Sequence, residues 1–91
     1  MKKKRTVRVK KTSQERRNFK DIRRSLLNSL CGGQKNINEL AKTSDINWQT
    51  TKNHMIYLIG FGFAKYVVNY PQVKIFEITE IGMEALTNKR I

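Results

Sequence analysis

Residues 36–63 hold two helices with only a few polar residues between them, and that spacing constrains the fold more than any other feature of the chain. Asn36 can cap a short helix, with Glu39 three residues on and Ile37, Leu40 and Ala41 facing a core. Thr43-Ser44-Asp45 breaks that helix, and Ile46 is a lone hydrophobe in the turn, placed to plug the corner between two helices. Asn47 then caps the stretch NWQTTKNHMIYLIGFGF, which reads as a helix over about 47–60 stopped by Gly60 and Gly62. Helix, tight polar turn, helix is the helix-turn-helix pattern.

The flanking segments read as one further helix on the N-terminal side and a change of period on the other. Thr12-Ser13-Gln14-Glu15 has the form of a capping box, and Phe19, Ile22, Leu26, Leu27 and Leu30 recur on one face after it. Gly32-Gly33 ends this helix, because glycine takes positive φ after a helix without penalty. Cys31, just before the stop, reads as a small buried hydrophobe. Past Gly62, residues 64–69 and 73–79 are rich in strand formers, with Asn69-Tyr70-Pro71-Gln72 as the turn between them. Phe76 and Ile78 alternate with Glu77, so one face of the hairpin should pack on the helices. A last short helix, about Glu80 to Asn88, carries Ile81, Ala85 and Leu86 on one side. There is no internal repeat and no second domain; residues 1–11 read as a basic flexible arm and 12–91 as the folded domain.

Charge decides between classes of partner. The 91 residues carry a formal charge of +12, and residues 1–24 hold 12 Lys and Arg against 2 acids, a net of +10. Lys2, Lys3, Lys4, Arg5, Arg8, Lys10 and Lys11 crowd the arm, and like-charge repulsion should keep it extended. Arg16, Arg17, Lys20, Arg23 and Arg24 prolong the positive surface onto the helix. Such a surface calls for a polyanion. A row of cations on a helix is also commonly a solvated face, and the arm could be a solubilising tail; so many cations in so short a segment favour the polyanion.

Other chemistries find little support. One cysteine, Cys31, excludes an intrachain disulfide, and with one histidine, His54, a metal site is not expected. MKKKR resembles the start of a signal peptide, but no apolar run follows, so a cytoplasmic protein is expected. Met55 to Ala64, the longest near-apolar run, is about half of the roughly 20 residues needed to span a bilayer. Glu77, Glu80 and Glu84 have no histidine or cysteine placed to work with them, and no glycine-rich phosphate loop is present, so neither enzymatic activity nor a cofactor is expected. No small-molecule ligand site is evident.

The order of elements resembles the winged helix-turn-helix family, the fold of many bacterial and archaeal transcription regulators. The resemblance covers about residues 19–86 and rests on INELAKTSDINWQTTKNHMIYLIGFGFAKY and KIFEITEIGMEAL. Leu58-Ile59-Gly60-Phe61-Gly62-Phe63 stands where the family's second helix ends in Leu-x-x-x-Gly-Leu or a variant. Phe76-Glu77-Ile78-Thr79-Glu80-Ile81-Gly82 matches an aromatic, a residue, a hydrophobe and Thr followed two residues later by Gly. The resemblance implies an α+β, mostly helical fold, with a two-stranded β-hairpin wing and a short C-terminal helix. It also implies DNA as partner, with the helix at about 47–60 as recognition helix.

Such a helix enters the major groove with its N-terminal turns and holds to its own domain along the opposite face. Thr51, Met55 and Leu58 follow i, i+4, i+7 and form the inner face, joined by Ile59 and Gly62. Gln49, Lys52, Asn53 and Ile56 point the other way. Gln49 and Asn53 can each pair bidentately with an adenine edge, Lys52 can reach guanine or phosphate, and Thr50 can bond phosphate or base. These four are the expected base-reading residues. Trp48 either packs on sugar or a thymine methyl, or forms a lid over the corner near Ile46. Ile56 departs from the usual polar residue and can meet thymine methyls. His54 lies between the two faces and reads as a half-buried helix histidine rather than a pH switch. The wing tip has no Arg or Lys, so its contacts would come from Tyr70, Lys65 and Lys74, with the arm supplying charge as basic arms do in minor grooves.

The expectation is a nucleoid-associated, operator-binding regulator acting as a homodimer on double-stranded DNA. The dimer would form through Ile81, Ala85, Leu86 and Ile91, with Leu26 and Leu27 of the preceding helix adding to the contact; alternatively this terminal stripe closes the monomer's core. Two rivals use the same fold: an RNA-binding, ribosome-associated protein, and a protein-interaction module. Gln49 and Asn53 on the groove-facing side favour DNA over the first, and the charge of residues 1–24 argues against the second.

Overall fold

The computed structural model describes residues 18–88. The arm at 1–11, the capping box at 12–15, Arg16, Arg17 and Ile91 lie outside the described residues. The described elements are α1 (Phe19–Cys31), β1 (Lys35–Asn36), α2 (Ile37–Ser44), α3 (Trp48–Gly60), β2 (Ala64–Asn69), β3 (Lys74–Ile78) and α4 (Glu80–Asn88).

Local chemistry fixes the ends of these helices. Asn18 caps α1 by accepting from the Asp21 amide at 2.8 Å. Asn36 and Glu39 form the reciprocal capping box at α2, with bonds of 2.8 and 2.9 Å. Asn47 caps α3 by accepting from the Thr50 amide at 2.7 Å. Both helix-turn-helix helices finish in the same way, with paired backbone bonds running back into the last turn. For α2 these are Ile46 N–H to Ala41 O and Asp45 N–H to Lys42 O; for α3 they are Phe63 N–H to Leu58 O and Gly62 N–H to Ile59 O. The residue that must turn left-handed is Gly62 (φ 82°) in one case and Asp45 (φ 57°) in the other. Aspartate tolerates that region better than most residues with a Cβ. The turn then delivers Ile46, 6% exposed, into the corner predicted for it.

The core joins Ile22, Leu26, Leu27 and Leu30 of α1 to Leu40 of α2, Met55 and Leu58 of α3, Phe76 and Ile78 of β3, and Ala85 of α4. Leu26 and Leu27 are fully buried within the monomer, which removes them from any surface for a second copy. Ala85 is buried and Leu86 packs on the core, so these two close the monomer's own interior, while Ile81 stays exposed. Two other expectations are corrected at the ends of α1. Phe19 is 64% exposed, because the first helical turn projects past the core, and its ring meets the edge of His54 instead. Cys31 is exposed, since the chain is already leaving the core at Gly32.

The sheet has three strands rather than two. Their order is β1-β3-β2, all antiparallel, with Lys35 opposite Phe76 and Asn36 opposite Ile75. The Gln34 amide donates to the Glu77 carboxylate at 3.1 Å and extends this contact. β2 and β3 form the predicted hairpin. Tyr70 and Val73 exchange backbone bonds across Pro71-Gln72, and a register shift lies between Tyr66 and Val68.

The Thr79–Gly82 segment explains its own spacing. The Thr79 amide donates to Phe63 O at 3.0 Å, and its hydroxyl donates to Gly62 O at 2.5 Å while accepting from the Gly82 amide at 3.0 Å. Threonine thus caps α4 and ties it to the end of α3. A Cβ on Gly82 would stand 2.1 Å from the Phe63 carbonyl oxygen, so no side chain fits there.

Candidate nucleic-acid interface

The helix α3 divides its surface as its sequence implies. Thr51, Met55 and Leu58 are at most 1% exposed, and the Thr51 hydroxyl is satisfied by Asn47 O at 2.9 Å. Gln49, Lys52, Asn53 and Ile56 are exposed, and Thr50 is half-buried. Two pairs one turn apart stand side by side on the exposed face. Gln49 Nε2 donates to Asn53 Oδ1 at 3.2 Å, and Lys52 Nζ lies 5.3 Å from the centre of the Trp48 ring.

Trp48, Lys52 and Ile56 form one wall of a groove of about 430 Å³. Tyr66, Gln72, Val73 and Lys74 of the hairpin form the facing wall, and Asn36 and Asn38 close one end. No acid is among the lining residues, and two of them are lysines. Lys74 is held in place by Asn69 Oδ1 at 2.7 Å. The structure therefore gathers Trp48, Lys52, Ile56 and Lys74 in one concave site. Lys65 and Tyr70 are exposed on the hairpin outside it. Asn38, Tyr66 and Gln72 are lining residues that the sequence reading did not single out. Asn38 stands in the first turn of α2, where helical spacing alone does not separate a lining residue from a solvated one.

On the other side of α3, His54 is 7% exposed and faces α1. Arg23 Nε donates to His54 Nδ1 at 3.2 Å, while the guanidinium carbon sits 3.4 Å from the centre of the Tyr57 ring. Nδ1 is thus an acceptor, and the imidazole is neutral with its proton on Nε2. Burial first, and the Arg23 charge second, hold its pKa below the usual imidazole value. Arg23 belongs to this packing cluster and not to a free basic surface. No group of His, Cys, Asp or Glu suited to a metal ion occurs among the described residues, and no helix there is long and apolar enough to cross a membrane.

No family model and no curated relative matches the sequence. The fold, in contrast, has solved counterparts. Sso10a-2, a DNA-binding protein from Sulfolobus solfataricus, superposes with a TM-score of 0.71 at 24% identity, over 79% of this chain and 74% of that one. The transcriptional regulator BldR from Sulfolobus solfataricus gives 0.70 at 15% identity, over 90% and 66%. A MarR family transcriptional regulator from Silicibacter pomeroyi gives 0.65 at 21% identity, and this chain spans 52% of its length. These likenesses, together with the helix-turn-helix, the hairpin and the capped terminal helix described above, establish that the chain has the winged helix-turn-helix fold.

Proposed function

We propose that this protein binds double-stranded DNA and regulates transcription by occupying an operator, in the cytoplasm and on the nucleoid. The N-terminal half of α3 enters the major groove, with Gln49, Thr50, Lys52 and Asn53 toward the bases. Trp48, Ile56 and Lys74 flank the contact, and Lys65 and Tyr70 of the wing reach the backbone. The cations of residues 1–17 add phosphate contacts. The observation that carries this reading is the division of α3, whose exposed face bears amides and a lysine while its opposite face anchors the domain. The solved structures of like fold are described as DNA-binding proteins or transcriptional regulators, which supports it. The protein acts by binding and needs no catalytic group.

If about six of the N-terminal cations meet phosphates, log K should fall against log salt with a slope of about −5. Deleting residues 1–11 should flatten that slope and weaken binding to every sequence alike. An unchanged slope would make the arm a bystander.

A palindromic site read by a two-fold dimer completes the proposal, because one helix reads few base pairs. Exposed Phe61, Ile81 and Met83 offer apolar surface for a second copy. Light scattering with and without DNA tests this, and a monomer mass under both conditions removes it. One observation favours RNA as a second reading: Trp48 and Tyr70 are exposed aromatics that could stack on unpaired bases. Competition between duplex DNA and structured RNA decides between them.

A further inference from the structure

The amides of Gln49 and Asn53 are bonded to each other, and that changes what each can offer a base. In the free protein Gln49 Nε2 donates to Asn53 Oδ1 at 3.2 Å across one turn of α3, and both side chains are exposed. Of the two groups not used in this bond, Gln49 Oε1 is an acceptor and Asn53 Nδ2 is a donor. Exchanging O and N in both amides leaves the same outer set, one donor and one acceptor. We propose that Gln49 and Asn53 act as a single unit that reads one adenine, rather than as two independent contacts to two bases. This rests on the DNA-binding reading above.

The chemistry selects the base. In the major groove adenine presents an N6 amino donor beside the N7 acceptor, which is the complement of one acceptor beside one donor. Guanine presents two acceptors, O6 and N7, so the unit's oxygen would face O6 with no proton between them. The mutual bond also fixes both side chains before DNA arrives, so less rotamer freedom is lost on binding than for two free amides. The neighbouring Trp48–Lys52 pair occupies the adjoining strip of the helix, which leaves the amide pair a narrow lane of its own.

Two side chains that form one contact must fail together. The experiment selects preferred duplexes from a random pool with the full chain. It then measures binding of the parent, Gln49→Ala, Asn53→Ala and the double variant to the selected site and to each single base-pair change in it. Each single variant should lose about tenfold on the selected site, both should relax preference at the same A·T pair, and the double variant should lose little more than either one. Placing 7-deazaadenine at that position, which removes N7, should weaken the parent and leave the double variant unaffected. If the losses multiply, or the two variants relax different base pairs, the amides read separately and the inference is overturned. If no duplex is enriched at all, the DNA-reading proposal itself falls, and this inference with it.

Discussion

The two ends of α3 are built on opposite plans. At its N-terminal end the exposed side chains hold one another, Gln49 to Asn53 and Lys52 over Trp48, and little else depends on them. At its C-terminal end the backbone itself is gripped. Thr79 bonds to both Gly62 and Phe63, and Gly82 lies against the Phe63 carbonyl with no room for a methyl group. The first end can change its exposed side chains at little cost to folding, whereas at the second the contact of Gly82 with the Phe63 carbonyl admits no added atom. A binding surface that is to be retuned belongs on the first plan, and the joint that aims it belongs on the second.

Substitutions at the two ends should therefore separate cleanly. The largest effect is expected for Gly82→Ala. Its Cβ would meet the Phe63 carbonyl oxygen at 2.1 Å and Ile78 Cγ1 at 2.8 Å, so backbone must move. A loss of about 4 kcal/mol or more should appear in urea unfolding, a large share of what a small domain has. A loss below about 1 kcal/mol would mean that α4 slides freely and the joint is not rigid.

Met55→Ala comes next, at about 3 kcal/mol, because it empties a fully enclosed site between α3 and the core. Asn53→Ala, two residues earlier on the same helix, should leave the unfolding midpoint within about 0.5 kcal/mol of the parent. If both variants lost equal stability, the contrast between reading face and anchoring face would collapse.

The smallest effect concerns His54. Its folded-state pKa lies below its ordinary value, so the unfolded chain takes up the proton first as pH falls. The His54 contribution to stability is thus present in full above about pH 6.5 and is lost progressively below it. Thermal unfolding between pH 7.5 and 5.5 should show a fall in midpoint for the parent and a shallower fall for His54→Gln. Equal slopes would mean that His54 binds its proton alike in the folded and unfolded chain, and that its burial beside Arg23 does not oppose protonation.

Much of the architecture was legible because it depends on neighbours in sequence. Asn36 with Glu39, and Asn47 three residues before Thr50, set two helix starts through bonds of three-residue span. Thr51, Met55 and Leu58 follow the helical period into the core. Phe76 and Ile78 alternate with Glu77 as a half-buried strand must. What periodicity could not show was where an element outruns the core. Phe19 and Cys31 sit at the two ends of α1, where the helical phase says inward but the shared core has already ended. β1 was missed for a related reason, since two residues carry no alternation. For the proposed site, spacing speaks along α3 and not across it. Spacing named Gln49, Lys52 and Asn53, while the groove that sets Lys52 opposite Lys74 exists only once the hairpin has folded over.

Asn36 is at once the second residue of β1 and the cap of α2, paired across to Ile75 of the wing. Only Gly32, Gly33 and Gln34 connect α1 to that strand. Inserting a residue there would leave Asn36 three residues before Glu39, but it would change the span that seats β1 against α1 and so disturb the cap's position and the wing's edge together. The tip at Pro71-Gln72 carries no such double duty. Over evolutionary time, insertions and deletions should accumulate at the tip, where the wing can lengthen toward new partners, and be purged from the short bridge between α1 and β1.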